Sequence, residues 1–232
     1  MIENLSAAEQ EYLKTVYLLR QETGQVTTRQ LAEQLRVKPA SVSSMIKHLS
    51  EGEEHAYIKH APYQRIELTP RGDAIALELI RHQRLLELFL TTTLDMPWEL
   101  VRNEAERLAP IISEDLEERI DARLGNPTRD PHGDPIPRQD GSIDTSDDVP
   151  LTTLAVGMCA RIVRVPDEDA DLLKYLASLG IVPGTQATLE AKAPYGNILT
   201  LRVGATTQPL GNEVAERIFV SEQSKRQDDA AS

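Results

Sequence analysis

The chain has 232 residues, and 40% of them are hydrophobic, which is enough for a substantial core and more typical of two small domains than of one large domain. Its most apolar stretches, such as residues 85–90, fall far short of the roughly 20 residues of a membrane span, and residues 1–10 have no signal-peptide pattern, so we expect a cytoplasmic protein with no membrane partner. The single cysteine, Cys159, excludes an internal disulfide and the cysteine-rich zinc modules.

The formal net charge of −12 is distributed unevenly along the chain. Residues 1–75 contain nine Lys and Arg against ten Asp and Glu, whereas residues 76–125 contain six against eleven. The first third of the chain is therefore close to neutral, and the excess of negative charge follows it.

The first elements predict a helix-turn-helix. Apolar residues at Tyr12, Leu13, Val16, Tyr17 and Leu19 have helical spacing, and Gly24 ends that helix. Thr27 precedes a second helix, and Lys38-Pro39 begins a third, with proline in the first turn. Only "RVK" separates the second helix from the third, which is too short for anything but a tight corner.

The next residues predict a wing and then more helix. Residues 57–60 and 65–68 read as two strands joined by a turn near Pro62-Tyr63, and they complete a winged helix-turn-helix domain over residues 1–72. Helical spacing resumes from Pro70 to Leu94 and again over residues 99–124, with an interruption at Pro110. We therefore predict a helical domain over residues 73–126.

The remainder predicts a second kind of domain. Residues 127–150 are rich in proline and aspartate and are predicted to be a linker. Residues 151–221 alternate short strands and turns in the manner of a small SH3-like β-barrel, with one helix over residues 169–179. Residues 222–232 are expected to be disordered. The expected fold class is thus mainly α with a small β domain.

Several motifs in this order resemble those of the metal-dependent repressors of the diphtheria toxin repressor (DtxR/MntR) type. They are "RLLELFL" at residues 84–90, "LEERI" followed by "PHGDPIP" at residues 131–137, and "LASLGIVPGTQATL", which is similar to a FeoA-type third domain. The resemblance implies that residues 73–126 bind metal and dimerise. It also implies a homodimer that binds a palindromic double-stranded operator when loaded with Mn(II) or Fe(II), and so controls metal-uptake genes.

Candidate DNA-contacting residues lie on the third helix and around it. The small side chains at the start of that helix permit close approach to base edges in the major groove, and basic residues of the flanking elements suit phosphates. The candidates are Thr27, Thr28, Arg29, Lys38, Pro39, Ala40, Ser41, Ser43, Ser44, Lys47, Lys59 and Arg65.

The resemblance also implies metal ligands on three helices. The first-helix position falls on Glu11, the family's His-x-x-x-Glu pair falls on Gln83 and Glu87, and a further cluster falls on Glu106, Ala109 and Pro110. His82, Glu104, Asp167 and Glu168 are additional candidates, although His82 is also interpreted as an exposed or partly packed residue that pairs with Glu78. Oxygen-rich ligands favour Mn(II), with Fe(II) as the alternative.

A divalent cation among the clustered carboxylates would cancel charge that otherwise repels DNA, and we expect it to gate DNA binding. Because Ala109 and Pro110 offer no donor, a regulator of the same fold without metal control is the alternative. A pure interaction module, with "DPIPRQD" in a groove of the barrel, is a third interpretation. An enzyme is not expected, since there is no phosphate loop, nucleophile elbow or metal-hydrolase motif.

Overall fold

The computed structural model describes residues 5–52, 56–59, 65–144 and 147–221. Contacts between Cα atoms divide the chain into two units, each assembled from several segments. The N-terminal unit lies within residues 1–86, 105–123 and 136–143, and the C-terminal unit lies within residues 87–104, 124–135 and 144–232.

Three helices form the start of the N-terminal unit: α1 (Ala7–Thr23), α2 (Thr28–Gln34) and α3 (Pro39–Leu49). Local sequence sets their ends. Ser6 and Glu9 form a reciprocal capping box on α1, and Gly24 ends that helix at a φ of +73°. Thr27 caps α2, and α3 begins at Pro39. The predicted helix-turn-helix is therefore present.

The wing is a short antiparallel pair of strands, β1 (Ile58–Lys59) and β2 (Glu67–Leu68), in which Ile58 lies opposite Leu68. Within the described residues both strands begin later than predicted, because Tyr57, Arg65 and Ile66 are not part of them; His60 and the expected turn at Pro62-Tyr63 lie outside the described residues. Apolar faces of the helices and the wing share one core, in which the largest fully buried side chains are Leu13, Leu31, Ile46, Ile58 and Ile75.

Three further helices follow: α4 (Pro70–Thr93), α5 (Val101–Leu108) and α6 (Glu114–Leu124). As predicted, the helical pattern of residues 99–124 is interrupted around Pro110, which lies between α5 and α6. Within the described residues, no helix has the length and apolar character to cross a membrane.

The C-terminal unit contains a six-stranded antiparallel sheet with the strand order β3-β8-β4-β5-β6-β7. A one-turn 3-10 helix (Leu151–Thr153), α7 (Ala170–Ser178) and α8 (Asn212–Ala215) accompany it. The mainly α fold with a small β domain is thus confirmed. The strands are β3 (Val149–Pro150), β4 (Cys159–Arg164), β5 (Gln186–Lys192), β6 (Ile198–Val203), β7 (Thr206–Gly211) and β8 (Phe219–Val220).

Part of the predicted linker is packed into the C-terminal unit. Asp130 and His132 are buried, and the His132 carbonyl accepts a hydrogen bond of 3.0 Å from the backbone N–H of Val165. Gly133 has a φ of +96°, and an added Cβ would lie 1.8 Å from the Val163 carbonyl oxygen. Composition suggests a linker here because polar groups and close backbone contact, rather than apolar side chains, hold the segment.

Candidate DNA-binding surface and metal centre

Helix α3 has an apolar face on one side and a face of small and polar side chains on the other. Val42, Ile46 and Leu49 are buried in the core of the N-terminal unit. The predicted DNA-contacting residues of this helix therefore point to the opposite side, and all of them are exposed: Lys38, Pro39, Ala40, Ser41, Ser43, Ser44 and Lys47. A helix with one face of small side chains and lysines at both ends has the shape and charge for the major groove.

The predicted flanking contacts are accessible as well. Lys59 of β1 and Arg65 before β2 are exposed, as is Thr27, whereas Thr28 is partly exposed. Arg29 is exposed and forms an ion pair of 2.8 Å with Glu33 on the same helix. Such an exposed pair contributes little to stability, so a phosphate can replace Glu33 as the partner of Arg29 at small cost.

The structure brings three predicted metal ligands together, but it places an ammonium group among them. Lys14 Nζ lies 3.0 Å from Glu11 Oε2, 3.1 Å from Gln83 Oε1 and 4.0 Å from Glu106 Oε1. Lys14 is 7% exposed. An ammonium at these distances fills the space that a metal ion needs, so the Glu11, Gln83 and Glu106 side chains as arranged here do not fit a metal.

His82 is buried, at 1% exposure, so the interpretation of an exposed or partly packed histidine is wrong. Its Nδ1 lies 3.0 Å from the Ala109 carbonyl oxygen and its Nε2 lies 3.0 Å from Glu117 Oε2. A carbonyl and a carboxylate only accept hydrogen bonds, so the geometry requires both ring nitrogens to donate, which makes His82 an imidazolium. Burial lowers the pKa of His82, whereas hydrogen bonds to Glu117 and Ala109 raise it. The raising effects together are larger, so the pKa lies above its ordinary value.

Glu78, His82 and Glu114 form one group whose ligand atoms lie within 4.8 Å of one another. Burial and the neighbouring carboxyl of Glu114 raise the pKa of Glu78 to about 7. Near neutral pH this group therefore holds protons on His82 and on much of the Glu78 population. A metal ion would have to displace those protons, which makes this group a poorer cation site than one with free lone pairs.

A second group, Glu87, Asp130 and His132, has the features of a metal site. All three side chains are buried, and their ligand atoms lie within 4.8 Å of one another. His132 Nε2 lies 2.8 Å from the Trp98 carbonyl oxygen and donates its proton there, which leaves the lone pair on Nδ1. This buried Nδ1 has no hydrogen-bond partner among the described residues, and it lies 3.9 Å from Glu87 Oε2.

The distance between those two atoms suits a cation. A separation of 3.9 Å is too long for a hydrogen bond but shorter than twice the metal-to-ligand distance of about 2.0–2.2 Å for small divalent cations, so one cation could contact both atoms. The Trp98 ring stacks on the imidazole with centroids 5.4 Å apart, and Asp130 Oδ1 accepts the backbone N–H groups of His132 and Asp134. The ligands are thus held by surrounding groups before any metal binds.

Of this group, Glu87 is among the ligands predicted from the sequence, whereas Asp130 and His132 are not, although His132 belongs to the "PHGDPIP" motif. The available signal was an aspartate and a histidine two residues apart in a Pro- and Gly-containing turn. The composition of this segment is that of a linker, and Glu87 is more than 40 residues away in sequence, so no local pattern relates the three residues.

The remaining predicted ligands lie elsewhere. Asp167 is paired with Arg102, and Glu168 is paired with Arg217. Asp169, which follows them, caps α7 by accepting the backbone N–H groups of Asp171 and Leu172. Glu104 is partly exposed on α5 and belongs to neither three-residue group found among the described residues.

Three family models match almost the whole chain. Residues 4–66 match the N-terminal DNA-binding domain of iron-dependent repressors, and residues 69–138 match their metal-binding and dimerisation domain. Residues 149–222 match the FeoA domain. The iron-dependent repressor IdeR of Mycobacterium leprae is 33% identical over 221 residues, which cover 90% of this chain and 94% of that relative. The diphtheria toxin repressor of Corynebacterium diphtheriae is 30% identical over 56% of each chain.

Solved structures that resemble this chain are repressors of the same kind. A manganese-dependent transcriptional repressor in complex with manganese superposes with a TM-score of 0.83 at 34% identity, covering 92% of this chain and 99% of that one. IdeR of T. acidophilum superposes with a TM-score of 0.73 at 30% identity, covering 91% of this chain and 96% of the other.

Proposed function

The chain belongs to the diphtheria toxin repressor family of iron- and manganese-dependent transcriptional repressors, and from this premise we propose that a divalent metal controls its binding to DNA. The metal is bound by Glu87, Asp130 and His132. The observation that carries this proposal is the buried, unpartnered Nδ1 of His132 that faces the Glu87 carboxylate.

DNA is bound by the helix-turn-helix and the wing. The exposed face of α3 enters the major groove, and Lys47, Lys59 and Arg65 bind phosphates. Since the family's central domain dimerises, the active form is a homodimer whose two α3 helices read the halves of a palindromic operator.

Mn(II) is the preferred metal and Fe(II) the alternative. Two carboxylates and one imidazole form a ligand set of oxygen and nitrogen without sulfur, which suits both of these cations. A divalent cation at this site supplies positive charge that offsets Glu87 and Asp130 in a chain of net charge −12. The hydrogen bond of His132 to the Trp98 carbonyl orients the imidazole, and the turn at residues 130–134 orients the Asp130 carboxylate.

The test is fluorescence anisotropy with DNA from upstream of the protein's own gene or of a manganese-transporter gene. The protein is titrated in chelator and then with Mn(II), Fe(II) or Mg(II). We expect Mn(II) or Fe(II) to tighten binding by at least about tenfold, while Mg(II) has little effect. Equal affinity in chelator and in Mn(II) would contradict metal control.

Two matched variants assign the effect to the site. Glu87→Gln keeps the size of the side chain but removes a charged ligand, and it should abolish most of the response to Mn(II). Glu168→Gln, in an ion pair outside the group, should respond as the wild type does. If both variants respond equally, the metal binds elsewhere.

A second candidate is a regulator of the same fold without metal control. Lys14 and the protonated His82 favour it, because they place cations of the protein itself beside carboxylates of the N-terminal unit. Elemental analysis of the purified protein separates the two candidates, since metal control requires Mn or Fe to bind in stoichiometric amounts. The relatives are repressors, and we propose no catalytic activity.

A further inference from the structure

Lys14 lies at the meeting point of three helices of the N-terminal unit. Its ammonium group contacts Glu11 on α1, Gln83 on α4 and Glu106 on α5, and the side chain is only 8% exposed. Side-chain oxygens from three separate helices thus converge on one buried positive charge. Oxygen ligands converge in this way on a bound cation, but here the cation is the ammonium group of Lys14.

The contacts match what a buried ammonium needs. Its three N–H bonds require acceptors, and isolated burial of a charged lysine would favour the neutral amine. Here a carboxylate at 3.0 Å and an amide oxygen at 3.1 Å accept hydrogen bonds, and a second carboxylate at 4.0 Å adds charge compensation. Removal of the ammonium alone would take away the positive charge that Lys14 supplies to the two carboxylates and the amide oxygen.

We propose that Lys14 replaces a divalent cation at this position and holds α1, α4 and α5 together independently of metal. Three of the positions that the family resemblance assigns to metal ligands, Glu11, Gln83 and Glu106, surround the ammonium, so the protein itself supplies the positive charge there. Removal of the Lys14 charge then converts this cluster into a Mn(II) site. The inference concerns the N-terminal unit and stands whether or not DNA binding requires metal.

The first experiment compares Mn(II) binding by the wild type, Lys14→Met and Lys14→Arg. Methionine keeps much of the apolar stem and removes the charge, whereas arginine keeps the charge. Free Mn(II) is followed by its electron paramagnetic resonance signal, without DNA, and circular dichroism checks the fold. We expect Lys14→Met to bind about one more Mn(II) per chain than the wild type, and Lys14→Arg to bind no more than the wild type.

A double variant locates the gained site. Adding Glu106→Gln to Lys14→Met should remove the additional Mn(II), whereas adding Glu168→Gln should leave it. Failure of a folded Lys14→Met variant to gain Mn(II) overturns the proposal. So does a gain that survives the loss of the Glu106 charge.

A measurement on the wild type applies even if the variants do not fold. Reductive methylation followed by mass spectrometry reports which lysines are accessible, and Lys38, Lys47 and Lys59 are exposed references. Lys14 should stay largely unmodified both in chelator and in excess Mn(II). If Mn(II) makes Lys14 reactive, then the metal displaces the ammonium, and the proposal is wrong.

Discussion

At the scale of single residues, Gly133 is a position with very little room for a side chain. An added Cβ would lie 1.8 Å from the Val163 carbonyl oxygen, at a φ of +96° that other residues rarely adopt. The turn that contains Gly133 also positions Asp130 and His132. A methyl group there must therefore displace β4 or the turn that carries two of the proposed ligands.

We expect Gly133→Ala to lower the free energy of unfolding by about 2–4 kcal/mol and to weaken Mn(II) binding. Gly157→Ala is the control, because Gly157 has a φ of +88° but an added Cβ would have no neighbour within 4 Å. The control should lose only about 1 kcal/mol from backbone strain. Thermal unfolding of both variants measures the difference, and similar losses would show that the contact with Val163 is unimportant.

The Glu78 carboxyl changes its charge near neutral pH, where the stability of the protein can be measured. Its folded pKa is raised to about 7 from the ordinary 4.5 by burial and by Glu114. A carboxyl with a raised folded pKa contributes fully to stability below the unfolded pKa, and this contribution is lost as pH rises through the folded one. Wild-type stability should therefore decline between about pH 4.5 and 7 because of this group.

Glu78→Gln should remove this decline, since an amide stays neutral and can still donate to Glu114. Melting temperatures of the wild type, Glu78→Gln and Glu118→Gln between pH 4.5 and 8 provide the measurement. Glu118 is exposed on α6, so its variant should follow the wild-type profile. If the melting temperature of Glu78→Gln declined with pH as steeply as that of the wild type, the raised pKa of Glu78 would not be the cause of the decline.

At the scale of elements, α3 combines a buried apolar face with an exposed face of small and basic residues. Lys47 lies on the exposed face near the C-terminal end of the helix. Because electrostatic contacts to phosphates dominate affinity, reversing its charge should weaken DNA binding without changing the fold.

We expect Lys47→Glu to weaken operator binding by at least about tenfold and to leave the melting temperature within about 2 °C of the wild type. Lys174→Glu on α7 is the matched control, because Lys174 is also exposed but belongs to the C-terminal unit. Anisotropy titrations at several salt concentrations separate the two. Equal losses would indicate a general effect of net charge rather than a contact made by α3.

At the scale of the whole molecule, the proposed metal site ties stability to metal concentration. A ligand that binds only the folded state stabilises it by about 2.7 kcal/mol at a free concentration 100 times its Kd. The Glu87, Asp130 and His132 side chains are assembled only in the folded chain, since Glu87 is distant from the others in sequence.

Mn(II) should therefore raise the melting temperature of the wild type, and His132→Gln should lose this increase. Glutamine is neutral and polar, as the His132 imidazole is, but it lacks the nitrogen lone pair that Nδ1 offers to a metal. Differential scanning calorimetry with chelator and with excess Mn(II) measures the shift, and Glu168→Gln should retain it. An undiminished shift in His132→Gln would place the stabilising metal at another site.

The sequence by itself determined the local features of this protein. Gly24, Thr27 and Pro39 mark helix ends through local geometry and contacts with residues only a few positions away, so their spacing was sufficient to predict the helix-turn-helix. Alternation of apolar residues predicted the small β domain, because burial of one face repeats along each strand.

Only the tertiary structure decided which charges meet. Lys14 and Gln83 are 69 residues apart, and Glu87 and His132 are 45 apart, so no local pattern relates the members of either pair. The same carboxylates could bind a metal, an ammonium or a proton, and the choice depends on which group the packed helices place beside them. The family resemblance indicated a metal site, but the geometry points to Glu87, Asp130 and His132 and shows a lysine among the other expected ligands.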